Sequence, residues 1–399
     1  MPHTATGSSP GPAADRERKP PVNTAAWMKA ARGGLEVAEA PYPVAGPNQI
    51  VVRNHAVAVN PLDWIIQIAG TLAYRWLTYP TVIGSDVAGE VVEIGAKITR
   101  FAVGDRVIGH AVGTDKDSNS ATEGAFQLYP VVNERMACPI PDSLPYENAA
   151  VLPLAVSTAS CGLFQTDQLG LNHPTAEATP TGQTVLVWGG STSVGSNAIQ
   201  LARAAGYEVI TTCSPANFDY VTPLGAAQAF DYNSPTVVTD VIAAFNQKHL
   251  AGAIALGTTS APACVRIVAK CKGNKSVAMG SPPVSFTGLA PDNRKRFATA
   301  QTVLALITSN IALQLRARLR GVGLKYIFGT SLKHNEVSTA VYQDFLPAAL
   351  AAGRYAVVPP PQIIGDGLEH LQHALDVQRR GVSAAKVVLT LIPASTTWR

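Results

Sequence analysis

The sequence predicts an α/β chain of two domains: a partly open β-barrel, then a doubly wound parallel sheet, with the last strand returning to the barrel. Length is the first reason. At 399 residues the chain exceeds what one ordinary core supports, so it divides. The second is a change of period. Up to about residue 150, short β-branched runs sit between Gly and Pro turns, and beyond it apolar strands alternate with helical stretches. The third is the turn in "VLVWGGSTSVGSNAIQ" (185–200), an apolar run entering a glycine-rich bend before an amphipathic stretch.

In chain order, residues 1–21 lack the apolar core of a signal peptide and read as a disordered tail. The barrel domain spans 22–155, with strands in "QIVVRNHAVAVN" (49–60), "GEVVEIG" (89–95) and "GDRVIG" (104–109). The parallel domain takes 156–333: strand 184–188, helix 193–205, strand 208–212, a turn and helix, strand 227–232, and a helix near 235–247. Strands 251–257, 276–280 and 324–330 complete it. Residues 334–399 return to the first domain through a helix at 366–380 and a strand at 386–392. The most lipophilic stretch, 297–319, is interrupted by Thr, Gln, Ser and Asn and ends in arginines. It reads as an amphipathic or buried helix, not a membrane span.

An apolar fraction of 47%, a charged fraction of 15% and a formal charge of +4 describe a well-packed soluble protein, with no pull toward nucleic acid or membrane. Cys138, Cys161, Cys213, Cys264 and Cys271 are odd in number and scattered, with no C-x-x-C. Neither a disulfide framework nor a cysteine-built metal site is expected, which fits a reducing, cytoplasmic compartment.

The glycine turn is that of a Rossmann dinucleotide fold with one part changed. Gly190 and Gly195 serve the tight bend and the helix–strand packing, while Thr192 replaces the middle glycine. The hydroxyls of Ser191 and Thr192 can donate to phosphate oxygens, and the helix N-terminus beyond offers free N–H groups. The next strand ends "TTCSPANFDY", with Cys213 and Ser214 where an NAD site carries Asp or Glu. Such a carboxylate binds the ribose 2′-OH and repels a 2′-phosphate. Its absence points to NADPH, with Ser214 and Asn217 as donors to the phosphate. Capping of a helix by Ser214–Pro215 is the plainer role, and the two are compatible.

Ordered stretches carry a family resemblance: "VNPLDW" (59–64), "VIGSDVAGEVVEIG" (82–95), "FAVGDRVIG" (101–109), "EGAFQLY" (123–129), "LPLAVSTA" (152–159), the glycine turn and "GVSAAKVVL" (381–389). From about Ala25 onward the chain resembles the medium-chain dehydrogenase/reductase superfamily, in its quinone-oxidoreductase branch. More closely, it is similar to fungal zinc-binding-dehydrogenase proteins, a group that includes trans-acting enoyl reductases of secondary metabolism. The resemblance implies a GroES-like first domain split around an inserted Rossmann domain. It also implies cofactor contacts at Gly189, Gly190, Ser191, Thr192, Ser193, Val194, Gly195, Ser214, Asn217, Tyr232, Gly257, Gly280 and Lys386, and pocket positions at Asn60 and Thr158.

Zinc-dependent members need three N, S or O ligands around an open tetrahedral site. Here the Cys position is Asn60, the His-Glu position is Ser85–Asp86, and the third falls near Leu154. That set is too weak, and the loop 113–123 has no cysteines for a structural zinc; no metal is expected. His55 and His110 are isolated and read as surface or hydrogen-bonded core residues. His370 and His373 read as a solvated helix face.

Without a metal, and without a Ser-x-x-x-Tyr-x-x-x-Lys set, alcohol–ketone interconversion lacks its acid. Reduction of an activated C=C or a quinone demands less, because polar donors such as Asn60 and Thr158 can hold the developing enolate. Many relatives carry Tyr or Lys where this chain has Ile65, which removes a proton donor there. Trp64, Tyr74, Trp76 and Tyr79 fall near the expected cleft and suit a flat or apolar substrate, free or as an acyl chain on a carrier protein, although aromatic core is the commoner role for such residues. The alternatives are an NADP-dependent alcohol or aldehyde dehydrogenase and a non-catalytic cofactor-binding partner protein. Monomer and homodimer stay open, and 282–325 serves equally as docking surface, dimer contact or lid.

Overall fold

The computed structural model describes residues 21–286 and 296–391. The expected tail lies outside the described residues except for Pro21, as does the chain after 391. The first half holds β1 (Asn23–Met28), β2 (Leu35–Ala40), β3 (Gln49–Val59), β4 (Thr81–Val82), β5 (Asp86–Ile94), β6 (Arg106–His110), β7 (Val131–Asn133) and β8 (Ala137–Pro139). The central part holds β9 (Gln183–Trp188), β10 (Glu208–Cys213), β11 (Gln228–Asp231), β12 (His249–Ala255), β13 (Lys272–Gly273), β14 (Ser276–Met279) and β15 (Gly323–Tyr326). Last come β16 (Pro361–Asp366) and β17 (Lys386–Thr390).

The barrel domain is two sheets. A small one runs β2-β1-β4, and a larger one runs β16-β17-β3-β5-β6-β8, with β7 also on β3. Register decides what meets what. β17 pairs antiparallel with β3, with Val387 opposite Val59. On the other side of β3, Ala58 faces Asp86, and Asp86 in turn faces His110. The start of β17, the end of β3 and the start of β5 therefore come together at one end of the sheet. Strand β16 carries no sequence signal: most of it is half or fully exposed, and Pro361 opens an edge position where a missing N–H costs nothing.

The second domain is a parallel sheet, β11-β10-β9-β12-β14-β15, with β13 on β12. The chain leaves β9 toward β10 and β11, then returns to build β12 and beyond. The switch between β9 and β12 opens the crevice where dinucleotide folds bind. Helix Pro153–Phe164 joins the domains and is buried on almost every face; only Leu154 and Thr158, one turn apart, stay half-exposed. One hydrophobic cluster passes through it, from Ala56 and Val388 of the barrel to Val185 and Val187 of the parallel sheet.

The helix Arg296–Leu319 forms as expected, but it is not buried. Leu313 and Ala317 anchor it, while Leu304, Ile307, Ile311, Leu315 and Leu319 are more than half exposed. Among the described residues no helix is long and apolar enough to cross a membrane.

Candidate active site and nucleotide crevice

The strand register assembles a buried polar cluster. Asn60 caps helix Pro61–Ala69, and its backbone N–H donates to Asp63 Oδ2 at 2.7 Å. Its side-chain Nδ2 donates to Asp86 Oδ2 at 2.7 Å. Lys386 Nζ lies 2.9 Å from the same oxygen and also donates to Asn60 Oδ1. The other Asp86 oxygen accepts from the Leu154 backbone N–H at 2.6 Å. All four polar side chains are buried, with Asn60 2% and Lys386 4% exposed. Lys386, expected at the cofactor, has its ammonium on Asp86 and Asn60 instead of free in the crevice.

Burial sets the charges around this pair. Asp63 is pushed up to about 7, first by desolvation, against the hydrogen bond from Asn60. His110 is pushed down to about 4 by the same desolvation. It is neither a surface nor a hydrogen-bonded residue: it is buried, and neither ring nitrogen has a partner. His55 likewise lacks a partner at Nε2 and stacks on Tyr146, centroids 4.4 Å apart. His370 and His373 are exposed.

A zinc ion does not fit the barrel-domain positions. Asn60, Ser85 and Leu154 are not adequate ligands, and both oxygens of Asp86 are already engaged. Among the described residues no group of three or more His, Cys, Asp or Glu could hold a metal.

Next to the cluster, Leu154 and Thr158 are the half-exposed positions of the connecting helix. Gly329 packs over Thr158 so tightly that a Cβ there would come within 3.1 Å of its N and Oγ1. Tyr74 and Trp76 meet edge to face, 5.4 Å between centroids, and Trp76 Nε1 donates to Thr114 O. Trp64 belongs elsewhere: its Nε1 donates to Gln378 Oε1 at 2.6 Å, on helix Leu371–Arg380.

The crevice fits a dinucleotide. Gly189, Gly257 and Gly280 follow β9, β12 and β14 at their carboxyl ends. A Cβ on Gly190 would stand 2.1 Å from Thr211 Oγ1, and one on Gly195 would stand 2.1 Å from Gly189 O. Thr192 caps the helix that begins at Ser193, followed by Val194. Its hydroxyl donates to Gly189 O at 2.7 Å and accepts from Gly195 N at 3.0 Å. That hydroxyl, expected to donate to a phosphate, has its proton on the turn itself; Ser191 stays half-exposed. Ser193 Oγ is buried without a partner, a donor left open at the helix start.

Past β10, Ser214 holds the N-cap position of the one-turn 3-10 helix Pro215–Asn217, but its side chain makes no capping bond. Asn217 Nδ2 donates to Ser214 Oγ at 3.0 Å and to Ser383 Oγ at 3.3 Å. Tyr232 is 44% exposed nearby, its backbone N–H bonded to Cys213 O. Sequence reasoning missed Ser383, whose place beside Asn217 depends on the domain return. It also missed the pairing of Asp86 with Lys386; a charge heading the apolar runs "DVAGEVV" and "KVVL" is its only trace.

A GroES-like sheet domain, a Rossmann sheet and a polar cluster beneath the cleft between them define a nucleotide-dependent oxidoreductase. Residues 46–142 match the alcohol dehydrogenase GroES-like domain. The chain is 50% identical over 373 residues to the dehydrogenase pigH of Monascus ruber, covering 93% of this chain and 100% of the relative. It is 38% identical over 372 residues to the trans-enoyl reductase himH of Aspergillus japonicus, covering 93% and 98%. Among solved structures, the CurK enoyl reductase shares the fold, with a TM-score of 0.68 at 15% identity over 93% of this chain and 99% of that one. The chain belongs to the medium-chain dehydrogenase/reductase superfamily, and its relatives there include a zinc-binding alcohol dehydrogenase domain-containing protein of Emericella nidulans as well as trans-enoyl reductases.

Proposed function

We propose that this chain is an NADPH-dependent reductase without catalytic metal, acting in secondary metabolism on an activated C=C, in an enone or enoyl thioester, or on a quinone. The observation that carries the reading is the ion pair of Lys386 with Asp86 at the matched metal position. With that place taken by an ammonium, the cleft offers hydrogen-bond donors but no Lewis acid. Names support the same class: similar chains include the trans-enoyl reductases himH and tndF.

When bound, the reduced nicotinamide supplies a hydride. Gly190, Gly195 and the start of helix Ser193–Ala204 would hold the pyrophosphate, and Ser214, whose hydroxyl accepts from Asn217 and keeps its own proton to give, would face the 2′-phosphate. Asn60 and Thr158 donate to the substrate oxygen as negative charge develops there. A well-aimed donor of this kind is worth about 3–4 kcal/mol. Donors sharing the oxygen with each other and with water are worth less, so Asn60→Ala and Thr158→Ala each slow turnover without abolishing it. The substrate is a small molecule or an acyl chain on a synthase carrier protein.

Deuterated NADPH with an α,β-unsaturated ketone tests this. The label is expected at the β-carbon with the carbonyl intact. Label at the carbonyl carbon, giving an allylic alcohol, identifies an alcohol dehydrogenase instead. No turnover across a panel of enones and quinones, with NADPH still bound, identifies a non-catalytic cofactor-binding protein.

A further inference from the structure

Asn60 sits between a lysine that can only donate and a carboxylate that can only accept. One orientation of its amide satisfies both: oxygen toward Lys386 Nζ, nitrogen toward Asp86 Oδ2 at 2.7 Å. Turning the amide over would set its carbonyl against the carboxylate and its N–H2 against the ammonium, two repulsive contacts among side chains almost wholly out of water. A surface asparagine offers either a donor or an acceptor. This one has its oxygen and one N–H committed, so only the second N–H remains to give.

Three parts of the sequence are needed for the lock: the end of β3, the start of β5 and the start of β17. The cluster meets the connecting helix at its half-exposed positions, because Asp86 Oδ1 holds the Leu154 N–H, and Leu154 and Thr158 are the two residues of that helix not fully buried. Resting on the function proposed above, we propose that Lys386 and Asp86 are positioning residues that lock Asn60 as a hydrogen-bond donor. The ammonium on Oδ1 polarises the amide toward its N–H groups and the Asp86 carboxylate on the first N–H opposes that, so the pair acts on the second N–H by fixing where it points. The site therefore favours substrates whose oxygen becomes anionic as hydride arrives, such as enones, enoyl thioesters and quinones. It does not favour those that must lose a hydroxyl proton to the protein, because an amide is no base and the Lys386 ammonium on its oxygen makes that oxygen a poorer acceptor still.

The test uses the full chain and the double variant Lys386→Met/Asp86→Asn, which removes both charges together and leaves neither buried and unpaired. The asparagine at 86 keeps an acceptor for the Leu154 N–H. Expected for the double variant are an unchanged melting profile, NADPH affinity within about threefold, and kcat lower by roughly tenfold to a hundredfold. Adding Asn60→Ala to it costs nothing further, because the charges act through that amide. A readout without turnover is the carbonyl stretch of an enone bound in the NADP⁺ complex. It is lowered in the wild type and returns toward its solution frequency in the double variant, while Lys386→Arg with Asp86 intact keeps most of the lowering. If the double variant fails to fold, Lys386→Arg and Asp86→Asn alone are read by the same carbonyl shift. If Asn60→Ala is slow but the double variant matches the wild type in kcat and carbonyl frequency, the positioning role is overturned and the proposed function stands. If Asn60→Ala itself keeps full turnover on enones, the role of Asn60 falls, and the lock with it.

Discussion

Lys386 Nζ and Asp86 Oδ2 stand 2.9 Å apart, with the two side chains 4% and 0% exposed. Two charges taken this far out of water persist only where close geometry and further hydrogen bonds offset the desolvation. Asn60 and the Leu154 N–H supply those bonds. A zinc ion entering here would have to displace the ammonium and then find ligands among Asn60, Ser85 and Leu154. Purified protein is expected to carry no stoichiometric zinc, and chelation should leave activity unchanged. Elemental analysis showing one zinc per chain, with activity lost on chelation, would contradict this.

NADPH should bind more tightly than NADH, because Ser214 leaves the end of β10 without a carboxylate. Ser214→Asp restores a ribose anchor and a repulsion toward the 2′-phosphate at once, and the preference should reverse. Calorimetric titration of both variants with both cofactors decides. Equal affinities in the wild type that the substitution does not change would defeat the second-strand argument.

Gly195→Ala should damage fold and crevice together. Its Cβ would be placed 2.1 Å from Gly189 O, a backbone atom that moves only if the turn moves. Overpacking of this kind costs roughly 1–3 kcal/mol or more. Urea unfolding should show the loss, and NADPH affinity should fall with it. An unchanged midpoint and affinity would mean the turn has slack that the close approach does not show.

The pH dependence of stability should contain two opposing contributions from one buried cluster. Asp63, raised to about 7 by desolvation, keeps a proton in the folded chain that the unfolded chain releases near pH 4. Its contribution is present below about pH 4 and is lost as pH rises toward about 7. His110, lowered to about 4 by desolvation, with Asp86 and Asp115 opposing and Lys386 adding to the shift, stays neutral in the fold while the unfolded chain protonates. Its contribution is present above about pH 6.5 and is lost as pH falls toward about 4. Each alone changes stability by about 1.4 kcal/mol per pH unit in its window. Asp63→Asn keeps the acceptor for the Asn60 N–H and removes one titration, so the variant gains on the wild type between pH 5 and 8. Urea unfolding at both values measures it; a difference between the two chains that is the same at pH 5 and pH 8 would refute the Asp63 assignment.

Much of the architecture was legible because it is written in local patterns. The strand entering Gly189, the helix from Ser193 and the missing acid at Ser214 follow from apolar periodicity, turn chemistry and charge, all within short stretches of chain. Helix Arg296–Leu319 was legible as a helix but not as an exposed one. Its composition is the same in either setting, and only the exposure of Leu304, Ile311 and Leu315 in the fold decides. Strand β16 escaped notice because an edge strand with half-exposed residues needs no alternation.

What the sequence by itself determined is the class of site: a dinucleotide turn without an acid, and metal positions held by Asn60, Ser85 and Leu154. What only the tertiary structure decided is who holds whom. The pairing of Val387 with Val59 and of Asp86 with Ala58 sets Lys386, Asn60 and Asp86 side by side across three strands. Nothing in the local sequence of β17 specifies its partner, because a strand's backbone donors and acceptors are the same whichever neighbour they meet. The same contacts claim the Thr192 hydroxyl for its own turn and the Asn217 amide for Ser383. A side chain's type names the bonds it is able to make; its neighbours in the fold choose among them.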